Sequence, residues 1–150
     1  MSISKFKLLF AQSEFTPKEI LEILAKDEDS CIREFVAENP KTSKKILEIL
    51  AKDEDFWIRA SVAQNPNTSK KILGILANDK ESDVRMYVAQ NPKVSKKILK
   101  ILSKDENSIV RAYVTVNPNA PRTILNLLLS DKDIVVYTQA MKTLARIQRF

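Results

Sequence analysis

The segment Ile46-Leu47-Glu48-Ile49-Leu50-Ala51-Lys52-Asp53 returns 26 residues later as Ile72-Leu73-Gly74-Ile75-Leu76-Ala77-Asn78-Asp79, and again from Ile98 and Ile124. A short fixed period constrains the fold more than any other feature of the chain. Each unit is a supersecondary element too small to bury its own apolar face, so neighbours must stack and the array reads as a solenoid. The units run 16–41, 42–67, 68–93, 94–119 and 120–145, with 1–15 before them and 146–150 after them.

Within a unit the first half, Thr16-Pro17-Lys18-Glu19 followed by Ile20, Leu21, Ile23 and Leu24, has helical apolar spacing. Thr16 is expected as N-cap with Pro17 at the first helical position, and Thr16 with Glu19 as a capping box. The second half places Ile32, Val36 and Ala37 on one face and closes at Asn39-Pro40, because the residue before proline is pushed out of helical geometry. Asn65-Pro66, Asn91-Pro92 and Asn117-Pro118 repeat that stop. The expected unit is therefore helix, acidic loop, helix, Asn-Pro turn, giving an all-α fold of about ten stacked helices. Shifting by one period lays Phe6-Lys7-Leu8-Leu9-Phe10-Ala11-Gln12-Ser13 on Ile32 to Asn39, so 1–15 is expected to be a lone second helix acting as a cap. In the last unit Thr143-Leu144 replaces Asn-Pro, and the helix is expected to run on toward Ile147. Val136, Ala140, Leu144 and Ile147 would close the core, with Arg146 and Arg149 in water.

The string Ile58-Arg59-Ala60-Ser61-Val62-Ala63-Gln64-Asn65-Pro66-Asn67-Thr68, followed by Ile72-Leu73-Gly74-Ile75-Leu76-Ala77-Asn78-Asp79, resembles the leucine-rich repeat variant family. The resemblance covers nearly the whole chain. It implies a right-handed superhelix of short helix pairs, similar in style to HEAT repeats, and carries no single activity. Some family members have an N-terminal iron–sulfur segment; this chain departs from that pattern, having only Cys31, so no cluster is inferred. The Asp27/Arg33 spacing, repeated at Asp53/Arg59, Asp79/Arg85 and Asp105/Arg111, is similar to the positions that form inter-repeat ladders in HEAT proteins.

Composition narrows the chemistry. At 150 residues and 44% hydrophobic content the chain is one domain's worth and can bury a core. It has no run of 18 apolar residues and no signal-peptide pattern at Met1-Ser2-Ile3-Ser4-Lys5, so a soluble, cytoplasmic protein without membrane contact is expected. Without histidine, and with one cysteine, the usual metal ligand sets and an internal disulfide are absent. Gly74, the sole glycine, lies inside a helical pattern, so phosphate-cradling loops cannot be built. No cofactor is expected.

Several repeated residues invite a functional reading beside a structural one. Arg33, Arg59, Arg85 and Arg111 would line up as a guanidinium track for phosphates, or pair with Asp27, Asp53, Asp79 and Asp105 in a ladder that fixes register. The ladder is the expectation. Asn39, Asn65, Asn91 and Asn117 could read a ligand, but before proline their expected role is to close turns. Lysine pairs Lys44/Lys45, Lys70/Lys71 and Lys96/Lys97 stand in the first turn of helix 1, against the helix dipole, with Lys44/Glu48 expected as an i,i+4 compensation. Residues 1–67 carry a net charge of −2 and 68–150 carry +8, a gradient that would orient the rod toward an anionic partner or permit head-to-tail self-association.

Aromatics share one register in helix 2: Phe35, Tyr87 and Tyr113, with Ser61 breaking the row. On a concave face they would be contact residues; partial burial between helices is the alternative. Phe56-Trp57, placed in a loop by this reading, is the least repeat-like feature, and Trp57 is a hot-spot candidate if exposed. Acids of the loops read as exposed, and Cys31 has no histidine to activate it, which disfavours catalysis. The expected function is a non-enzymatic scaffold binding a protein partner. Nucleic-acid binding through Lys70, Lys71, Lys96, Lys97, Lys100, Lys104 and Arg122 is the alternative, and a HEAT-like DNA-repair enzyme the third.

Overall fold

The computed structural model describes residues 3–148. Among these every regular element is a helix. The order is α1 (Ile3–Gln12), α2 (Lys18–Leu24), α3 (Ser30–Glu38), α4 (Lys44–Leu50), α5 (Phe56–Gln64), α6 (Lys70–Leu76), α7 (Ser82–Gln90), α8 (Lys96–Leu102), α9 (Ser108–Val116), α10 (Arg122–Leu128) and α11 (Ile134–Ile147). From α2 to α10, helices of seven and nine residues alternate. A seven-residue helix is far below the length that is stable alone in water, so tertiary packing holds it.

Local chemistry sets the ends. Ser43, Ser69 and Ser95 accept a hydrogen bond from the backbone N–H three residues on, satisfying one orphan donor of the short helices. The acidic loops form paired Asx turns: Asp53 Oδ1 accepts from the Asp55 N–H, and Asp55 Oδ1 from the Trp57 N–H at the start of α5. Asp29, Asn107 and Asp133 cap α3, α9 and α11 in the same manner. Each nine-residue helix stops at an asparagine in extended geometry, with ψ between 123° and 131°, where the following proline forbids the helical region.

The chain divides into two compact units, Met1–Leu76 and Ala77–Phe150. In the first, α3 packs against both α1 and α5, and the short helices pack on these. Leu21, Ile32, Ile46, Leu47, Leu50, Ile58, Ile72 and Leu73 form its core. In the second, α9 packs between α7 and α11, with α8 and α10 against it. Its core comprises Val84, Val88, Leu99, Leu102, Val110, Val114, Leu125, Val136 and Ala140.

Several expectations are corrected. Thr16 does not cap α2: Pro17 holds that position without a side-chain bond, and the buried Thr16 hydroxyl instead donates inward to the Phe10 carbonyl. Ile23 is not core but 67% exposed. With about 100° per residue, the positions of Ile46, Leu47 and Leu50 fall within one arc of a short helix and the position of Ile49 falls outside it. The same geometry exposes Ile49 and Ile75 in the first unit, and Ile101 and Leu127 in the second. Phe56 and Trp57 are not loop residues; Asp55 caps them into the first turn of α5, with ring centroids 4.6 Å apart. Ile147 is exposed at the end of α11, where Thr143 and Leu144 take the buried side. Arg149 lies outside the described residues.

Candidate functional site

Most of the repeated polar residues are bound into the architecture. Arg33 Nε and Nη2 donate to the two carboxylate oxygens of Asp53 at 2.8 and 3.1 Å, while Nη1 donates to the carbonyls of Asp27 and Glu28. Arg85 treats Asp105 in the same way, at 2.7 and 2.9 Å, and Arg111 treats Asp131, at 2.7 and 2.8 Å. Each of these arginines therefore clamps its own acidic loop and the acidic loop of the following unit. Arg59 donates to the Asp53 and Glu54 carbonyls and is 7% exposed. The Asp79 carbonyl accepts from Arg85, and its Oδ1 accepts from the Glu81 N–H. Guanidinium groups so bidentately engaged have few donors left for a phosphate.

Electrostatics agree with that geometry. Burial opposes ionisation of Asp53 and Asp105, yet the hydrogen bonds from Arg33 and Arg85 and from a backbone N–H in each loop hold both carboxyls below their usual range. The Arg111 hydrogen bond does the same for Asp131 against a smaller burial effect. Asp27 receives Lys7 rather than an arginine, at 2.8 Å, and is likewise held low. Lys7 was not singled out in the sequence, although it lies one period before Arg33 and so occupies the arginine register.

The asparagines form a second ladder. Asn39 Nδ2 donates to the carbonyls of Ala11 and Ser13, Asn65 Nδ2 to those of Ala37 and Asn39, and Asn117 Nδ2 to those of Ala89 and Asn91. Their Oδ1 atoms accept from the backbone two residues on, as does that of Asn91 from Lys93. Asn67 and Asn119 extend similar bonds to Pro40 and Thr42, and to Pro92 and Val94. Those two were legible only as variable residues after the proline.

What remains free at the surface differs between the units. One lysine of each pair on α4 and α6 meets a carboxylate, Lys45 lying 3.7 Å from Glu22 and Lys71 3.9 Å from Glu48, while Lys44 and Lys70 are exposed. Glu48 thus meets the next short helix, not Lys44 as the i,i+4 spacing suggested. In the second unit Lys96, Lys97, Lys100 and Lys104 are exposed around Ile101 on and just beyond α8, with no carboxylate of the described residues in ion-pair range. Exposed Arg122 opens α10, and the unit holds 13 Lys and Arg against 7 Asp and Glu. The residue that supplies acid on the short helices, Glu22 and Glu48, becomes Gly74, Lys100 and Asn126 further along.

Among the aromatics, Tyr87 and Tyr113 are half-buried on the adjacent helices α7 and α9, and Phe35 is half-buried on α3. Trp57 is 51% exposed on α5. Beside the register where Ser61 replaces an aromatic, a cleft of about 260 Å³ is lined by Glu38, Ser61, Gln64, Asn65 and Pro66. In the second unit shallow clefts of about 390 and 470 Å³ follow the Arg85–Asp105 and Arg111–Asp131 pairs. Among the described residues no three histidine, cysteine, aspartate or glutamate side chains converge so as to hold a metal, and no helix is long and apolar enough to cross a membrane. Cys31 is exposed. No protein-family model matches the chain, and no curated protein matches it significantly.

Proposed function

We propose that this chain is a non-enzymatic binding module, built as a right-handed superhelical solenoid of 26-residue units of the leucine-rich repeat variant type, that engages a protein partner through its nine-residue helices. The observation that carries this reading is the contrast between engaged and free groups. The arginines and asparagines of the repeat are taken up by the ladders, whereas Tyr87 and Tyr113 keep part of their rings in solvent on two helices that pack against each other. Rigid, preorganised aromatics lose little entropy on binding and are the commonest anchors at protein interfaces. Affinity capture with the wild-type chain and a Tyr87→Ala/Tyr113→Ala variant of unchanged melting temperature tests it at physiological salt. A specific partner is lost in the variant; retention at equal strength refutes the assignment.

Nucleic-acid binding is the second reading, favoured by the uncompensated lysines of α8. A Lys96→Glu/Lys97→Glu variant should lose binding to labelled duplex or single strands, and log affinity should fall linearly with log salt. Binding that ignores the variant removes this reading.

A further inference from the structure

The register occupied by Phe35, Tyr87 and Tyr113 in their helices is filled in α5 by Ser61, and the missing ring opens the cleft between α3 and α5. Its volume of about 260 Å³ falls below that of pockets that enclose a whole small-molecule ligand, about 300–1,000 Å³, and suits a single side chain. The lining is rich in acceptors. Ser61 is only 5% exposed and lines the cleft. Asn65 is fully engaged by Ala37, Asn39 and Asn67, and the other polar side chains of the lining are the Ser61 hydroxyl, the Gln64 amide and the Glu38 carboxylate.

The helix ends that flank the cleft carry no basic residue of their own. Glu38 and Gln64 close α3 and α5, and neither helix has a basic residue in its last turn to meet its negative end. Among the described residues neither Glu38 nor Glu34, one turn earlier on the same helix, has a cation in ion-pair range. Like charges at i,i+4 destabilise a helix. Burial, then Glu38 and Asp55, push the Glu34 carboxyl above its usual range.

We propose that the Ser61 cleft receives an arginine side chain of a partner protein, with Glu38 as its counter-charge and the Ser61 hydroxyl and Gln64 amide oxygen as further acceptors. This deepens the protein-binding reading and rests on it. Arginine is favoured over lysine because its planar fork presents five donors to acceptors that diverge around the cleft. One carboxylate is too few for a divalent metal.

The test titrates the ¹⁵N-labelled chain with N-acetyl-L-arginine amide and with its neutral isostere N-acetyl-L-citrulline amide. Saturable shifts are expected at the amides of residues 34–38 and 61–65 with arginine, and binding about fivefold weaker with citrulline, the full worth of one exposed charge pair. Glu38→Gln should weaken the arginine probe about three- to fivefold, and Ser61→Tyr, which restores the ring of the row, should abolish its binding. Equal shifts with citrulline, shifts spread without saturation over the acidic loops 27–29 and 53–55, or unchanged binding in Glu38→Gln overturn the proposal. Should Ser61→Tyr fail to fold, Glu38→Gln decides. Because the probe needs no macromolecule, a silent cleft beside a partner lost in the Tyr87/Tyr113 variant would sink this proposal alone.

Discussion

Replacing Asn65 tests how much of the stacking between units rests on one amide. Its Nδ2 donates to the Ala37 and Asn39 carbonyls at 2.6 and 3.0 Å, its Oδ1 accepts from the Asn67 N–H at 2.8 Å, and the residue is 2% exposed. Asn65→Ala removes all three bonds and leaves two carbonyls and one N–H behind. At about 1 kcal/mol net per bond, and more where a buried group stays unpaired, the loss should be about 3 kcal/mol. Asn65→Asp has nearly the same shape but places carboxylate oxygens against two carbonyls, and should cost at least as much at neutral pH. Its folded-state pKa would be raised, so its penalty is largest above that value and shrinks as the pH falls and the acid proton becomes a donor. Urea unfolding followed by far-UV circular dichroism and by fluorescence of Trp57, on the helix that Asn65 ends, reads the effect. Asn67→Ala, with its bonds nearer the surface, is the control and should lose about 1 kcal/mol. An Asn65→Ala loss no greater than the control, or an Asn65→Asp variant indifferent to pH, would refute the reasoning.

Asp105→Asn should destabilise the second unit by about 2–4 kcal/mol, since it removes the bidentate counter-charge of the largely buried Arg85 and leaves only the longer contact with exposed Glu106 at 3.5 Å; hydrogen exchange on α7 and α9 locates the loss. The stability that Asp53, Asp105 and Asp131 contribute is fully present above about pH 4, the ordinary aspartate range, and is lost as pH falls through their depressed folded values; the acid limb of a melting-temperature profile should be shallower in Asp105→Asn. Glu34 has the opposite sign: its raised pKa costs stability as pH rises through the carboxylate range. Glu34→Gln should therefore stabilise at pH 7 by less than about 1 kcal/mol, the screening of a half-exposed site included, and do nothing near pH 3.5. Leu47→Ala should cost about 2–5 kcal/mol and Ile49→Ala under about 0.5, a contrast in urea midpoints that checks which apolar face of α4 is buried.

Much of the architecture was legible because period and punctuation are local. Apolar spacing gives helices, Asn-Pro ends them, and the Asp-x-Asp loops that cap the next helix are written in consecutive residues. The recurrence of Asp and Arg at fixed spacing likewise marked a ladder. Which carboxylate each arginine takes was not local: Arg33 reaches Asp53, 20 residues on, and Lys7 stands in for an arginine at Asp27. Trp57 was misplaced into a loop because the capping role of Asp55 depends on where the chain turns.

By itself the sequence determined that the chain is helical, where its helices stop, and that repetition must bury what one unit cannot, since these follow from backbone sterics and from residues a few positions apart. Tertiary structure alone decided which of two apolar faces of a seven-residue helix is covered, which polar side chains are engaged and which are left over. Ile23 and Ile49 stayed in solvent, the arginines were drawn into ion pairs with the acidic loops, and the lysines of α8 were left exposed. The physical reason is that burial and ion pairing are set by neighbours one or more units away, and a linear pattern of residue types does not record the direction from which those neighbours arrive.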